Sequence, residues 1–207
     1  YFYVIVGIFL LILVFISSFF WGIKQKLKNQ KLWAELSFLK SQVNPHFLFN
    51  TLNNIYALVL KKSSEAPKVV LMLSEIMRYM LHDSNHKRVL LEKEIAYLNN
   101  FIKIQQIRIS NDVNIDFNIK GKPNGIQIAP LLLIPFVENA FKHGDLKTKD
   151  SYIKIVLEIS PKNIYFYVEN LIRLKKEKTT SGIGLENLNK RMKLIYSDQY
   201  ELEKRKK

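Results

Sequence analysis

The sequence predicts an α+β chain. It would comprise an N-terminal transmembrane helix, a helical hairpin that forms a four-helix bundle in a dimer, and a C-terminal α/β sandwich. Three observations predict it. Residues 1–23 are almost wholly apolar, residues 24–109 carry apolar side chains mostly at helical spacing, and strand-like alternation begins at Val113. The expected boundaries are 1–23 for the membrane segment, 24–88 for the linker and hairpin, and 89–207 for the sandwich.

Only Ser17, Ser18 and two glycines interrupt the apolar run from Tyr1 to Ile23. Spanning ~30 Å of hydrocarbon takes about 20 helical residues, so the run is long enough. A cleaved signal peptide would carry positive charge before its apolar core and a small-residue site after it. Here Phe19, Phe20 and Trp21 stand at the boundary and Lys24, Lys26, Lys28 and Lys31 follow. That order predicts a membrane anchor whose C-terminal side is cytoplasmic. The chain opens on Tyr1 rather than methionine, so a fragment or processed product is expected, with a sensor region upstream.

Leu32, Leu36, Leu39 and Val43 step by four, three and four, the seam of a short coiled coil leaving the membrane. Leu48, Leu52, Ile55 and Val59 continue helical spacing beyond Pro45, which should bend or loosen the helix. Ser63 to Pro67 reads as a turn with Ser64 as cap. The helix after it should bury Val69, Val70, Leu73, Ile76, Met77 and Met80. His82 to Arg88 reads as a boundary, followed by a helix from Glu92 to about Ile109 with Ile95, Leu98, Ile102 and Gln105 on one face.

Val113, Ile115, Phe117 and Ile119 alternate with polar residues, and Gly121 to Gly125 reads as a turn. Pro130 is expected to start a helix over Leu131 to His143. Ile153–Ile159 and Ile164–Val168 read as a hairpin turning at Pro161, Lys162 and Asn163. Leu171 to Ser181 reads as a lysine-rich flexible loop, and Gly184 to Tyr196 as the last helix. A mixed sheet with helices on one face is the expected sandwich.

Composition excludes some chemistry. There is no cysteine, so disulfides and thiolate metal sites are ruled out. The four histidines His46, His82, His86 and His143 are scattered, and no carboxylate pattern completes a metal set around His82 and His86. The net charge of +14 is spread over dispersed lysines without a nucleic-acid motif, so no direct nucleic-acid partner is expected. The cluster after the apolar run suits lipid headgroups, and that in Leu174–Lys178 a phosphate-handling loop; ordinary solvation accounts equally for both.

Three stretches carry candidate chemistry. In Asn44-Pro45-His46-Phe47-Leu48-Phe49-Asn50, Asn50 lies one turn below His46 and could fix its tautomer, freeing the other ring nitrogen as a nucleophile. A lone histidine satisfied within a helix interface is the competing reading. In Val137-Glu138-Asn139-Ala140-Phe141-Lys142-His143-Gly144, Asn139 and His143 share a helical face. The Asn139 amide oxygen suits Mg²⁺, Lys142 and His143 suit phosphate charge, and Glu138 could orient a water or simply face solvent. Gly182-Ile183-Gly184-Leu185 opens a helix, where glycines permit phosphate approach or merely form an entry turn.

In order and residue content these stretches resemble the LytS/YehU-type sensor histidine kinases, from about Leu32 to Tyr200. Asn-Pro-His-Phe-Leu-Phe-Asn resembles that family's phosphoacceptor box, the second stretch its N box, and Gly182 through Arg191 its glycine box. Glu94 to Arg108, with Tyr97, Gln105 and Arg108, is similar to its connecting helix. The resemblance implies a phosphoacceptor region followed by a GHKL-type ATP-binding domain over 89–207. It further implies ATP- and Mg²⁺-dependent autophosphorylation of His46 in a homodimer, then transfer to an aspartate of a cytoplasmic response regulator, often of LytTR type. His46, Asn50 and Glu138 would serve catalysis, Asn139 would hold Mg²⁺, and Asn139, Lys142, His143, Asn170, Gly182, Gly184 and Leu185 would bind ATP. The implied location is the bacterial cytoplasmic membrane, with the loop Leu174–Ser181 as a lid.

Two departures bear on nucleotide binding. The family's Asp-x-Gly-x-Gly box is matched by Val168-Glu169-Asn170-Leu171-Ile172, which replaces the carboxylate by the Asn170 amide and lacks both glycines. Lys207 stands about where a last sheet strand is expected. Phe47, not an acid, follows His46, leaving the general base unassigned. The rival readings are a non-catalytic protein of the same architecture and a basic membrane-tethered nucleic-acid binder.

Overall fold

A computed structural model describes residues 2, 7, 11, 13–29, 45–109, 113–146, 148, 150–171, 183–197 and 199–205. The chain forms two units, Tyr1–Phe49 and Asn50–Lys207. In the first, residues 13–29 are helical. No helix among the described residues is long and apolar enough to cross a membrane. The helical run includes Lys24, Lys26 and Lys28, and part of the expected span 1–23 lies outside the described residues, as does the whole seam Leu32–Val43.

The elements that follow are α1 (Pro45–Leu60), α2 (Glu65–Leu81), a 3-10 turn (Asp83–Asn85), β1 (Val89–Leu90), α3 (Leu91–Arg108), β2 (Asn114–Lys120), β3 (Gln127–Ile128), α4 (Ile134–His143), β4 (Tyr152–Ile159), β5 (Ile164–Asn170) and α5 (Ile183–Tyr196). Pro45 is the first described residue of α1, and the segment before it, on which the expected bend depends, lies outside the described residues.

α1 ends in a left-handed cap. The Ser63 N–H donates to the Leu58 carbonyl (2.9 Å), and the Lys62 N–H to Val59 (2.9 Å). Lys62 takes φ 51° in the position glycine usually fills. Ser64 is the N-cap residue of α2, as expected, but its side chain makes no cap bond; Ser63 Oγ accepts the Glu65 N–H at 3.3 Å instead. Pro67 belongs to the helix, not to the turn.

α2 buries Ala66, Val69, Leu73, Ile76, Tyr79 and Met80. Val70 and Met77, expected in the core, remain 50% and 37% exposed. They lie beside the stripe that meets α3 instead of within it. The boundary stretch is tied down: Ser84 Oγ donates to the Met80 carbonyl (2.5 Å), and Lys93 pairs with Asp83.

The sheet is mixed. β2 runs parallel to β4, and β4 antiparallel to β5. Register aligns Ile115, Phe117 and Ile119 with Ile153, Ile155 and Leu157, which in turn oppose Asn170, Val168 and Phe166. One face is therefore apolar; Ile153, Ile155 and Leu157 are fully buried on it. The other face carries Asp116, Asn118, Lys154, Tyr165 and Tyr167 and stays polar, the alternation expected of a one-sided sheet. α4 covers the apolar face, with Phe136 edge-on to Phe166 at 5.9 Å, and Phe141 packs edge-on to Phe101 of α3 at the same separation.

A second, two-stranded ladder pairs Val89 with Ile128 and Leu90 with Gln127, which the sequence did not signal. The expected helix from Leu131 is also shorter than read. α4 begins at Ile134 with Pro135 in its first turn, and Leu131 adopts φ 52°. Its N–H is taken by a side chain of α3 instead of a helical carbonyl.

Candidate functional site

α4 buries Ile134, Val137, Ala140 and Phe141, one apolar side of a short amphipathic helix. Glu138 and Asn139 are thereby left half-buried, and Lys142 exposed. Lys142 and His143 occupy the last turn, where positive charge meets the negative end of the helix dipole. Gly144 follows, its N–H bonded to the Ala140 carbonyl at 2.8 Å.

Asn170 closes β5 opposite Ile153 on the helix-covered side of the sheet. A Cβ at Gly144 would come within 3.3 Å of Asn170 Nδ2 and 2.5 Å of the Ala140 carbonyl oxygen. The Asp145 N–H, donating to the Leu171 carbonyl at 2.8 Å, pins the two segments together. The end of α4 and the candidate adenine reader are thus neighbours. Glu169, the acidic residue beside Asn170, faces the other way. It accepts hydrogen bonds from the Tyr152 hydroxyl (3.0 Å) and the Tyr167 hydroxyl. The bond to Glu169, then burial, pushes the Tyr167 phenol up to about 12.

His143 is half-buried, and its Nε2 has no hydrogen-bond partner among the described residues. Burial, then the charges of Lys142 and Lys204, hold its imidazole below the usual histidine value. Its shielded ring nitrogen is therefore open to a polar group.

The start of α4 is fixed by Glu94, which is fully buried in α3. Its Oε1 accepts the Leu131 N–H at 2.5 Å and also the Tyr79 hydroxyl. On the other side, Arg191 of α5 donates to the Pro130 carbonyl at 2.6 Å. The Ala129 N–H donates to the Tyr196 hydroxyl at 2.8 Å, and the Arg88 guanidinium lies 5.1 Å over the Tyr196 ring. Burial raises the Glu94 carboxyl above its usual range. Burial first, then the charges of Glu138 and Glu94, keeps the Tyr97 phenol protonated.

Of the glycine stretch, Gly184 and Leu185 lie in the first turn of α5. Gly182 and the lysine-rich loop lie outside the described residues. His46 is exposed in the first turn of α1, and Asn50 is half-buried one turn further along the same helix.

Among the described residues there is no group of three or more His, Cys, Asp or Glu that could cage a metal. A single amide oxygen at Asn139 would suit a Mg²⁺ that keeps most of its waters. The unpaired Nε2 of His143, four residues on, agrees with a polar group being received on this side of α4.

The family model for histidine kinases matches residues 34–113, which takes in α1, α2 and α3. The sensor histidine kinase/phosphatase LytS of Staphylococcus aureus strain MRSA252 is 30% identical over 178 residues, 79% of this chain and 30% of that protein. The LytS proteins of strains Mu50 and N315 match at the same identity and coverage. The chain is thus similar to the LytS-type histidine kinases. It spans about 30% of the length of the curated relatives it matches.

Three residues central to the packing of α4 escaped the reading of single motifs. Glu94 was only a boundary of the connecting helix, Arg191 only the end of the glycine stretch, and Tyr79 was not singled out. Glu94 did carry a signal. It falls between Leu91 and Leu98 on the buried side of α3, where an acid needs dedicated donors.

Proposed function

We propose that this chain is the kinase region of a membrane-bound sensor histidine kinase of a two-component system. Residues 24–88 would form the dimerisation and phosphoacceptor region and residues 89–207 the GHKL-type ATP-binding domain. The observation that carries the reading is the approach of Asn170 to Gly144. It brings an adenine-reading amide to the end of the helix that bears Asn139 and His143.

The chemistry is phosphoryl transfer, in which positioning and charge neutralisation supply most of the rate. A neutral ring nitrogen of His46 forms a bond to the γ-phosphorus while the bond to the bridging oxygen breaks, and ADP leaves with that electron pair. Asn50 keeps the proton on the other ring nitrogen, fixing the tautomer. Lys142 and His143 balance phosphate charge, Glu138 orients polar groups beside the site, and the turn at Gly182, Gly184 and Leu185 leads backbone N–H groups toward the phosphates. Mg²⁺, held by the Asn139 amide oxygen, would draw charge from the phosphate oxygens. The phosphoryl group then passes from His46 to an aspartate of a cytoplasmic response regulator, of LytTR type.

Homodimerisation through α1 and α2 is supported by their exposed apolar side chains, among them Leu52, Tyr56, Val59, Leu71 and Leu81. Membrane attachment is proposed on the apolar run 1–23 alone.

A second reading, a non-catalytic protein of the same architecture, is favoured by one observation. Glu169 is bonded on the polar face of the sheet and leaves Asn170 without a carboxylate at the adenine position. Calorimetric titration with ATP and Mg²⁺ tests the site, and label transfer from γ-labelled ATP separates the two readings. Binding lost in Asn139→Ala, with label transfer in wild type, supports the kinase. Binding without label supports the second reading.

A further inference from the structure

The backbone of residues 129–131 is bound from two sides. From α3, Glu94 takes the Leu131 N–H, and the same oxygen takes the hydroxyl of Tyr79 from α2. From α5, Arg191 donates to the carbonyls of Pro130 (2.6 Å) and Leu131 (3.5 Å), while Tyr196 accepts the Ala129 N–H. Three residues later α4 begins, and α4 carries Asn139 and His143.

The arrangement is costly unless its bonds are kept. A fully buried carboxyl group gives up its hydration, which the donors on its Oε1 offset in part. Leu131 is held at φ 52°, a conformation unfavourable for an L-residue, and its N–H meets Glu94. Anchoring a plain loop to α3 would need no acid shared with α2. The shared oxygen is what makes the start of α4 respond to α2.

We infer that Glu94 is a positioning residue, and that the Tyr79–Glu94–Leu131 contact sets the α4 nucleotide residues relative to the helical hairpin for phosphoryl transfer. This rests on the kinase reading above. The hairpin end of the link is Tyr79, on the helix joined to α1 by the Lys61–Ser64 turn. The nucleotide end is the first turn of α4. Among the described residues the Tyr79 hydroxyl bonds Glu94, so on this reading it acts on transfer and not on ATP binding. Glu94 holds the loop itself and acts on both.

The test compares the dimer as wild type, Tyr79→Phe, Glu94→Gln and the double variant, by autophosphorylation kinetics and by hydrogen exchange of residues 129–137. Tyr79→Phe should lower kcat about ten-fold, the value of one buried hydrogen bond, with KM for ATP within about two-fold. Glu94→Gln should lower kcat and raise KM, and the double variant should be no slower than Glu94→Gln. Tyr79→Phe should also speed exchange at the Leu131 amide, a readout that holds even if wild type transfers no phosphate. That result would sink the kinase reading and leave the positioning link standing. Unchanged exchange in Tyr79→Phe overturns the inference, as do unaltered kcat or losses that multiply in the double variant. Should Glu94→Gln fail to fold, Tyr79→Phe alone decides, because it removes a single oxygen.

Discussion

Gly144 and Asn170 sit so close that a methyl group at position 144 would lie 3.3 Å from the Asn170 amide nitrogen. The Ala140 carbonyl oxygen would be nearer still, at 2.5 Å. Glycine is required here by space, since its φ of −65° suits any residue.

Gly144→Ala therefore forces the end of α4 away from β5. The expected cost is about 2 kcal/mol of stability, together with about ten-fold weaker ATP binding. Chemical denaturation and calorimetry check the two effects. Gly125→Ala serves as the contrast: nothing lies within 4 Å of it, and its φ of 74° makes the cost purely conformational.

His143 should titrate below the ordinary histidine value in the free protein. Because its folded value is depressed, its contribution to stability is present above the ordinary value and lost as pH falls through the folded one. An NMR titration of its ring protons gives the first. The pH dependence of melting, compared with His143→Gln, gives the second; the variant should lack that slope. Phosphate nearby would favour the protonated ring, so ATP should raise the His143 value.

Glu94→Ala removes the buried acceptor shared by the Tyr79 hydroxyl and the Leu131 N–H, and should cost about 3 kcal/mol. Glu94→Gln, which keeps an acceptor oxygen, should cost less. The Glu94 carboxyl is raised by burial. Its contribution is thus fully present below the usual carboxylate range and is lost as pH rises through the folded value. Wild type should gain on Glu94→Gln as pH falls, measured by urea midpoints across that range.

The exposed apolar stripe of α1 and α2 predicts a fourth outcome. Leu71 is 61% exposed on α2 and Val59 57% exposed on α1. Leu71→Glu should weaken dimerisation at least about ten-fold while leaving the fold intact, since a charge would enter a buried apolar interface. Analytical ultracentrifugation together with circular dichroism separates the two.

Where local pattern decides structure, the sequence was legible. Alternation at Ile115, Phe117 and Ile119 marks β2, and Pro161 to Asn163 marks the β4–β5 turn, because period-two burial and turn chemistry act over a few residues. The connecting helix was read within one residue at each end. Leu131 to Leu133 misled, since an apolar run reads equally as helix; a carboxylate from another element withdraws the Leu131 N–H from the ladder. The β1–β3 ladder is two residues long on each side and carries no periodicity. Val70 and Met77 share the apolar chemistry of the core and differ from it only in which neighbour they face. The N-box residues and Asn170 were legible as motifs, but their adjacency rests on sheet register, a long-range property.

The most direct test is incubation of the purified dimer with γ-labelled ATP and Mg²⁺, beside His46→Gln and Asn139→Ala. Acid-labile label on wild type and on neither variant is the expected result, with mass spectrometry locating the phosphate on His46. A folded dimer that binds ATP yet takes up no label, or that is labelled equally in His46→Gln, contradicts the account.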